Sequence, residues 1–431
     1  MMDNYWKIGH KAGYDSAFDN FQRYLNTVND GTMDISFFLG SANGTELGRR
    51  LAVRCRIQND EKAANAYYHS LDLDWEYHTP ENYYKRWKLF YPQNTGADKR
   101  YPLVFWNHGG GNSIESEETM TGYLQLAARE KYFFVIAQNT NPVNILRILD
   151  EVCKRCPVDT EKIYLAGFSQ GANQCHSLYT HYPDRVTAAA LTCMDIWRPW
   201  DNMDERYTEE ELETLKEKTV PLSLQAGMCE PFPYVPLNSW RKNKMNPIPP
   251  EMRGSPDDFI HPGKIAANDP TRITTPGKGR IDPFCPGAPR MTSAYIPGAD
   301  EDVHRWSIER VNKRLELLNC EPLEVEKCIS FLNNKENQIR HITGIYGDEE
   351  EILNLLEIRH YAVKIKDRQK RTVFQYIATE NSPHWPPVTT AELGWDFLKQ
   401  FRRDTHSGWI VWKEKERNES GNETSKESNH F

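Results

Sequence analysis

In Gly167-Phe168-Ser169-Gln170-Gly171 a serine stands between two glycines, after the apolar run 162–167 and before a helix-like stretch over 172–181. A serine hydroxyl is a weak nucleophile unless it is held clear of its own backbone and offered to a base. A sharp strand-to-helix turn does this, and glycines on either side let strand and helix approach closely. The spacing therefore marks Ser169 as a candidate nucleophile for acyl transfer.

Such a reaction builds negative charge on a carbonyl oxygen and needs N–H donors aimed at it. His108-Gly109-Gly110-Gly111 follows the apolar run 101–106. Glycines there leave backbone N–H groups unobstructed, so Gly110 and Gly111, with the N–H of Gln170, are the candidate oxyanion hole.

A base is expected after the nucleophile, and seven histidines follow it by a useful distance: His261, His304, His341, His360, His384, His406 and His430. His360 falls inside a predicted strand, His261 and His304 in or beside a proline-rich stretch, and His430 in the tail. His384, in Glu380-Asn-Ser-Pro-His-Trp-Pro-Pro387, lies on a loop between the last long strand and the last helix, where a catalytic base belongs. For the acid that orients it, Glu230 on the turn after the strand 220–225 leads, with Asp195, Asp201, Asp257, Asp258 and Asp348 as alternatives.

The elements around these residues alternate. Predicted strands at 84–92, 101–106, 132–137, 162–167, 187–192 and 220–225 are interleaved with predicted helices near 122–131, 143–155 and 172–181. This predicts a mostly parallel central sheet with helices on both faces. Residues 231–305 then hold 14 of the 26 prolines, too many for regular structure, and read as an insertion or cap over 231–302. A helix near 303–318, strands at 358–365 and 372–377, and a helix over 390–402 close the core. Residues 1–83 read as an N-terminal extension, the core as 84–230 with 303–412, and the polar tail 413–431 as disordered.

The chain has 431 residues and a net charge of −8 spread along its length, which argues against nucleic acid or an anionic membrane as partner. Its first thirty residues lack an apolar run long enough for export or a membrane span, so a cytoplasmic protein is expected. Nine scattered cysteines fit reduced thiols better than a disulfide framework. Cys153-x-x-Cys156 has no second pair or histidine cluster nearby, so neither a metal nor a cofactor is expected.

The segments Pro-Leu-Val-Phe-Trp-Asn-His-Gly-Gly-Gly, Lys-Ile-Tyr-Leu-Ala-Gly-Phe-Ser-Gln-Gly-Ala-Asn and Ser-Pro-His-Trp-Pro-Pro together resemble the polyhydroxybutyrate depolymerase and feruloyl esterase branch of the α/β-hydrolases. The resemblance spans about residues 84–230 and 303–403. It implies an α/β-hydrolase fold and a serine esterase acting on small-molecule or oligosaccharide esters, with carbohydrate-linked or aromatic acyl groups. Phe232, Tyr234, Trp240 and Tyr295 of the insertion are then either candidate cleft residues or the insertion's own small core.

Two positions depart from the family. Gly227-Met-Cys-Glu230-Pro231 stands where the family commonly has Gly-Thr-x-Asp-Pro, so Glu230 replaces Asp, and Pro383 replaces the glycine before the family's histidine. A peptidase of the same fold, and a non-catalytic member used for binding, are the rival readings.

Overall fold

A computed structural model of the chain describes residues 61–82, 85–94, 96, 99–109, 114, 117, 118, 121–194, 208–227, 301–331, 334, 336–355, 358–379, 386, 389–404, 406 and 410–412. The extension before residue 61, the insertion at 231–302 apart from the helical residues 301 and 302, and the tail lie outside them.

The core is one sheet of ten strands. In chain order these are β1 (Leu73–His78), β2 (Trp87–Pro92), β3 (Tyr101–Asn107), β4 (Phe133–Ala137), β5 (Val158–Phe168), β6 (Ala188–Thr192), β7 (Leu222–Gly227), β8 (Glu349–Leu355), β9 (Ile358–Lys366) and β10 (Thr372–Thr379). Across the sheet the order is β1-β2-β4-β3-β5-β6-β7-β10-β9-β8. The six strands from β4 to β10 in that order run parallel. β2 is antiparallel to both its neighbours, and the hairpin of β8 and β9 adds antiparallel strands at the far edge.

Helices cover both faces. On one lie α2 (Tyr123–Glu130) and α9 (Thr389–Leu398), on the other α3 (Pro142–Arg155), α4 (Gln170–His181) and α6 (Glu301–Leu317). Between α4 and α6 in the chain comes α5 (Glu209–Lys218), and after α6 come the short α7 (Val325–Ser330) and α8 (Gln338–Thr343). Strand β5 shows why the runs are uniformly apolar: Ile163 and Leu165 pack toward α3 and α4, while Tyr164, Ala166 and Phe168 pack toward α2 and α9. A strand covered on both faces has no solvent side to mark with polar residues. The start of α3 is set locally, with Pro142 in its first turn and the Asn141 side chain accepting from Val143 N at 3.0 Å.

Three boundaries differ from the sequence reading. Helix α1 (Glu61–Ser70) and β1 belong to the sheet's layers although they fall in the stretch read as extension. What anchors them is apolar packing, with Ala64, Tyr68 and Leu73 buried and Trp75 and Tyr77 against the same cluster, joined to a buried charge pair. Lys88 Nζ on β2 meets Glu118 Oε2 at 2.8 Å with both side chains 1% exposed, Tyr68 also donates to Glu118, and Lys88 Nζ lies 5.4 Å and 4.9 Å from the rings of Trp75 and Tyr77. Strand β8 was not read from the sequence: its outward acidic residues pair across the hairpin, Glu349 with Lys366 at 2.7 Å and Glu351 with Lys364. Such charges suit a sheet edge and mask the strand pattern. The final helix ends at Leu398, and Phe401–Arg403 pairs instead with Ile410–Trp412 as β11 and β12.

Candidate functional site

Ser169 sits in the turn between β5 and α4 with φ 51° and ψ −118°, a backbone conformation that non-glycine residues rarely adopt. The turn is held on both sides. Ser169 N donates to Thr192 O at the end of β6 (2.9 Å), and Asn173 N donates to Ser169 O (3.1 Å). Ser169 itself is half-buried and Gln170 is exposed. Gln170 opens α4, so its N–H is one of the helix's unpaired N-terminal donors, in the positive end of the helix dipole.

Both glycines of the motif are required by close approach. A Cβ on Gly171 would overlap the carbonyl oxygens of Asn107 and His108, and a Cβ on Gly167 would lie 3.0 Å from Ala172 N and 3.1 Å from Cys175 Sγ. The serine turn therefore packs directly against the point where β3 passes into the glycine loop. Asn107 strengthens that junction by donating from Nδ2 to Cys175 Sγ at 2.7 Å. Burial pushes the Cys175 thiol up to about 12, which removes it as a competing nucleophile.

The start of the glycine loop is clamped from below. His108 Nδ1 lies 2.8 Å from Gly109 O, and its Nε2 lies 2.9 Å from Gln138 O and 3.1 Å from Gln138 Nε2. Gly109 N donates to Glu117 Oε1 at 3.0 Å. That N–H is therefore committed, and any donors this loop offers to a substrate come from beyond it. Gly110 and Gly111 themselves lie outside the described residues.

Glu230 and His384 also lie outside the described residues, as do Asp195, Asp201, Asp257, Asp258, His261 and His430. The strands leading to the first two are described. β7 ends at Gly227 and β10 at Thr379, paired in parallel register, at the same end of the sheet as Ser169. Glu230 follows Gly227 by three residues and His384 follows Thr379 by five.

Five other candidates have places that disqualify them. His304 donates from Nε2 to Gly344 O (3.0 Å) and His341 from Nδ1 to Phe331 O (3.0 Å), both buried. The His406 side chain is 97% exposed beside Asp404. Asp348 lies at the opposite end of the sheet, accepting at Oδ2 from Lys366 N at 2.7 Å. His360 is at the correct end but buried, with Nδ1 3.0 Å from Thr379 Oγ1, and burial pushes it down to about 4. Cys153 and Cys156 are free thiols whose pKa values are raised, chiefly by burial. Among the described residues no group of three or more His, Cys, Asp or Glu side chains could hold a metal ion, and no helix is long and apolar enough to cross a membrane.

This strand order, with an antiparallel second strand and a serine at a strained turn after the fifth, defines the α/β-hydrolase fold. No family model matches the sequence, and no curated protein matches it. Among solved structures the chain is similar to a thermostable esterase, at 17% identity over 39% of this chain and 50% of that one, with a TM-score of 0.29. It thus spans about half of that esterase's length. It is also similar to FphF, a fluorophosphonate-binding serine hydrolase of Staphylococcus aureus (11% identity, 37% of this chain and 80% of that one, TM-score 0.30). A third is an acetyl xylan esterase from Aspergillus awamori (10% identity, 40% and 77%, TM-score 0.29).

Proposed function

We propose that the chain is a carboxylic ester hydrolase that works through an acyl-enzyme on Ser169. The observation that carries this reading is the backbone of Ser169, strained at φ 51° in the turn between β5 and α4. Strain of this kind costs on the order of 1–3 kcal/mol and persists where a side chain must be presented against its backbone preference.

In the proposed reaction Ser169 Oγ attacks the ester carbonyl while His384 takes its proton, and the oxyanion forms facing the N–H groups of Gln170 and of Gly110 or Gly111. His384 then returns the proton to the leaving alcohol, and water repeats the sequence on the acyl-enzyme. Glu230 holds the imidazole tautomer. No cofactor takes part. The substrate class, small-molecule or oligosaccharide esters with carbohydrate-linked or aromatic acyl groups, follows the family resemblance, with the insertion 231–302 as the cap that selects among them. A cytoplasmic location fits the six free thiols among the described residues, four of them buried.

The test is hydrolysis of p-nitrophenyl acetate, a feruloyl ester and an aminoacyl p-nitroanilide by the full chain, with fluorophosphonate labelling of wild type and Ser169→Ala. Ester turnover and labelling that depend on Ser169 support the reading. Turnover of the anilide alone would make the chain a peptidase, and a folded protein that neither turns over nor labels would make it a binding member of the fold.

A further inference from the structure

The strained turn at Ser169 is held from the β6 side by the bond from its N–H to Thr192 O. On the other side of β5 lies β3, and there the contact is made by side chains. Asn107, the last residue of β3, is fully buried and stands opposite Gly167 in the parallel register of β3 and β5. Its Nδ2 donates to Cys175 Sγ at 2.7 Å, and the Cys175 thiol donates in turn to Ala166 O at 3.4 Å. Cys175 belongs to α4, six residues after the nucleophile, and Ala166 to β5, three residues before it. One amide and one thiol thus join β3, the strand that enters the serine turn and the helix that leaves it.

A residue in a sparsely populated backbone region stays there only where its surroundings over-determine it. The serine turn can relax only if the end of β5 and the start of α4 move relative to each other, and the Asn107–Cys175–Ala166 bridge ties those two elements together. It acts at close range: a Cβ on Gly167 would lie 3.1 Å from Cys175 Sγ, and one on Gly171 would overlap Asn107 O. The thiol suits the part, because burial pushes it up to about 12 and so keeps it protonated, and a donor, through the neutral range. Turning the Asn107 amide about would exchange donor and acceptor yet leave the side chain joined to sulfur, since a thiol can do both. Apolar packing alone does not call for an amide here. Asn107 Oδ1 is buried without a donor among the described residues, a cost that a leucine of the same branching would avoid.

We propose that Asn107 and Cys175 are positioning residues for the nucleophile: their side-chain bridge fixes α4 against the ends of β3 and β5, and so holds Ser169 in the strained turn from which it attacks. The proposal rests on the esterase reading above. Both side chains are fully buried, so they act on the reaction only through the backbone on either side of Ser169. The bond between them is shared, so removing either partner breaks the bridge as completely as removing both.

The test compares Asn107→Leu, Cys175→Ala, the double variant, and Cys175→Ser, which returns a group that both donates and accepts. On p-nitrophenyl acetate each of the first two should lose about 10- to 100-fold in kcat with KM within about threefold, since misplacing a catalytic group by about 1 Å can cost about 100-fold. The double variant should fall no more than about threefold below the more damaged single one, because one bridge can be broken only once. Cys175→Ser should recover most of what Cys175→Ala loses. The rate constant of fluorophosphonate labelling should fall with kcat, while its end point, which counts folded molecules, stays near that of wild type. A purely structural role would lower the urea midpoint and leave kcat and labelling rate per folded molecule within about threefold of wild type. That result, or losses that multiply in the double variant, overturns the proposal. If chains carrying Asn107→Leu do not fold, the two Cys175 variants decide: an alanine loss that serine restores supports the bridge, and serine no better than alanine, or alanine unaffected, overturns it. A wild-type chain that neither hydrolyses esters nor labels sinks the esterase reading itself, whereas an active wild type with unaffected variants sinks only the bridge.

Discussion

Gly227 and Thr379 end two neighbouring parallel strands at the same register, and from them the chain leaves toward Glu230 and His384. Strands lie about 4.8 Å apart in a sheet, so β7 is about 10 Å and β10 about 14 Å from the strand that carries Ser169. Three extended residues span about 10 Å and five about 17 Å. Both proposed partners are therefore within reach of the serine turn. Asp348 is excluded by the same geometry, because it sits beside Lys366 at the other end of the strands. Glu230→Gln should cut ester turnover by about a thousand- to ten-thousand-fold while leaving the fold intact, and Asp348→Asn should stay within threefold. A large defect in Asp348→Asn with near-normal Glu230→Gln would refute the assignment.

The strain at Ser169 makes a prediction that separates function from stability. Glycine adopts φ 51° without the steric cost, so Ser169→Gly should relieve about 1–3 kcal/mol in the folded state and give back about 1 kcal/mol through greater freedom of the unfolded chain. The net expectation is a variant with no esterase activity and a slightly higher Tm. Thermal unfolding alongside p-nitrophenyl acetate turnover checks it, and a lower Tm would mean that the turn is not strained.

How much of this was legible in the sequence depends on where the physical signal lies. Ser169, its glycines and the alternation of strands and helices were readable because both-face burial forces uniform apolar runs and a close approach forces glycine. The clamp beneath the glycine loop was not. Glu117, Gln138 and Lys88 are polar residues in an apolar setting, and only their three-dimensional partners distinguish them from surface charges. Strand β1 does carry a signal, Leu73, Trp75 and Tyr77 alternating with Asp74, Glu76 and His78, but it is only six residues long and lies in the stretch read as extension.

Gly171→Ala tests the contact between the serine turn and the glycine loop. The added Cβ meets backbone oxygens rather than a yielding side chain, so the strand end or the helix must shift. Overpacking against backbone costs typically 1–3 kcal/mol and occasionally more, and the shift should also misplace Ser169. Urea unfolding should show that loss, together with at least a tenfold lower kcat. Unchanged stability and rate would mean that the elbow does not pack as tightly as the glycine requires.

His360 gives the molecule a stability that depends on pH. Burial, with Nδ1 3.0 Å from the Thr379 hydroxyl, pushes its imidazole from an ordinary 6.5 down to about 4. Between those values the unfolded chain binds a proton that the folded chain does not. Stability therefore rises with pH across this window and is lost as pH falls from about 6.5 toward 4, after which His360 contributes no further change. The full span corresponds to about 3 kcal/mol. His176, pushed well below its ordinary value chiefly by burial, acts in the same direction. Replacing His360 with Asn removes its share while leaving an amide able to reach Thr379. The variant should be less stable at pH 7, because the smaller side chain leaves space in the core, yet its urea midpoint should fall less steeply than that of wild type between pH 6.5 and 4.5. Parallel slopes for the two proteins would show that His360 titrates alike in the folded and unfolded chains.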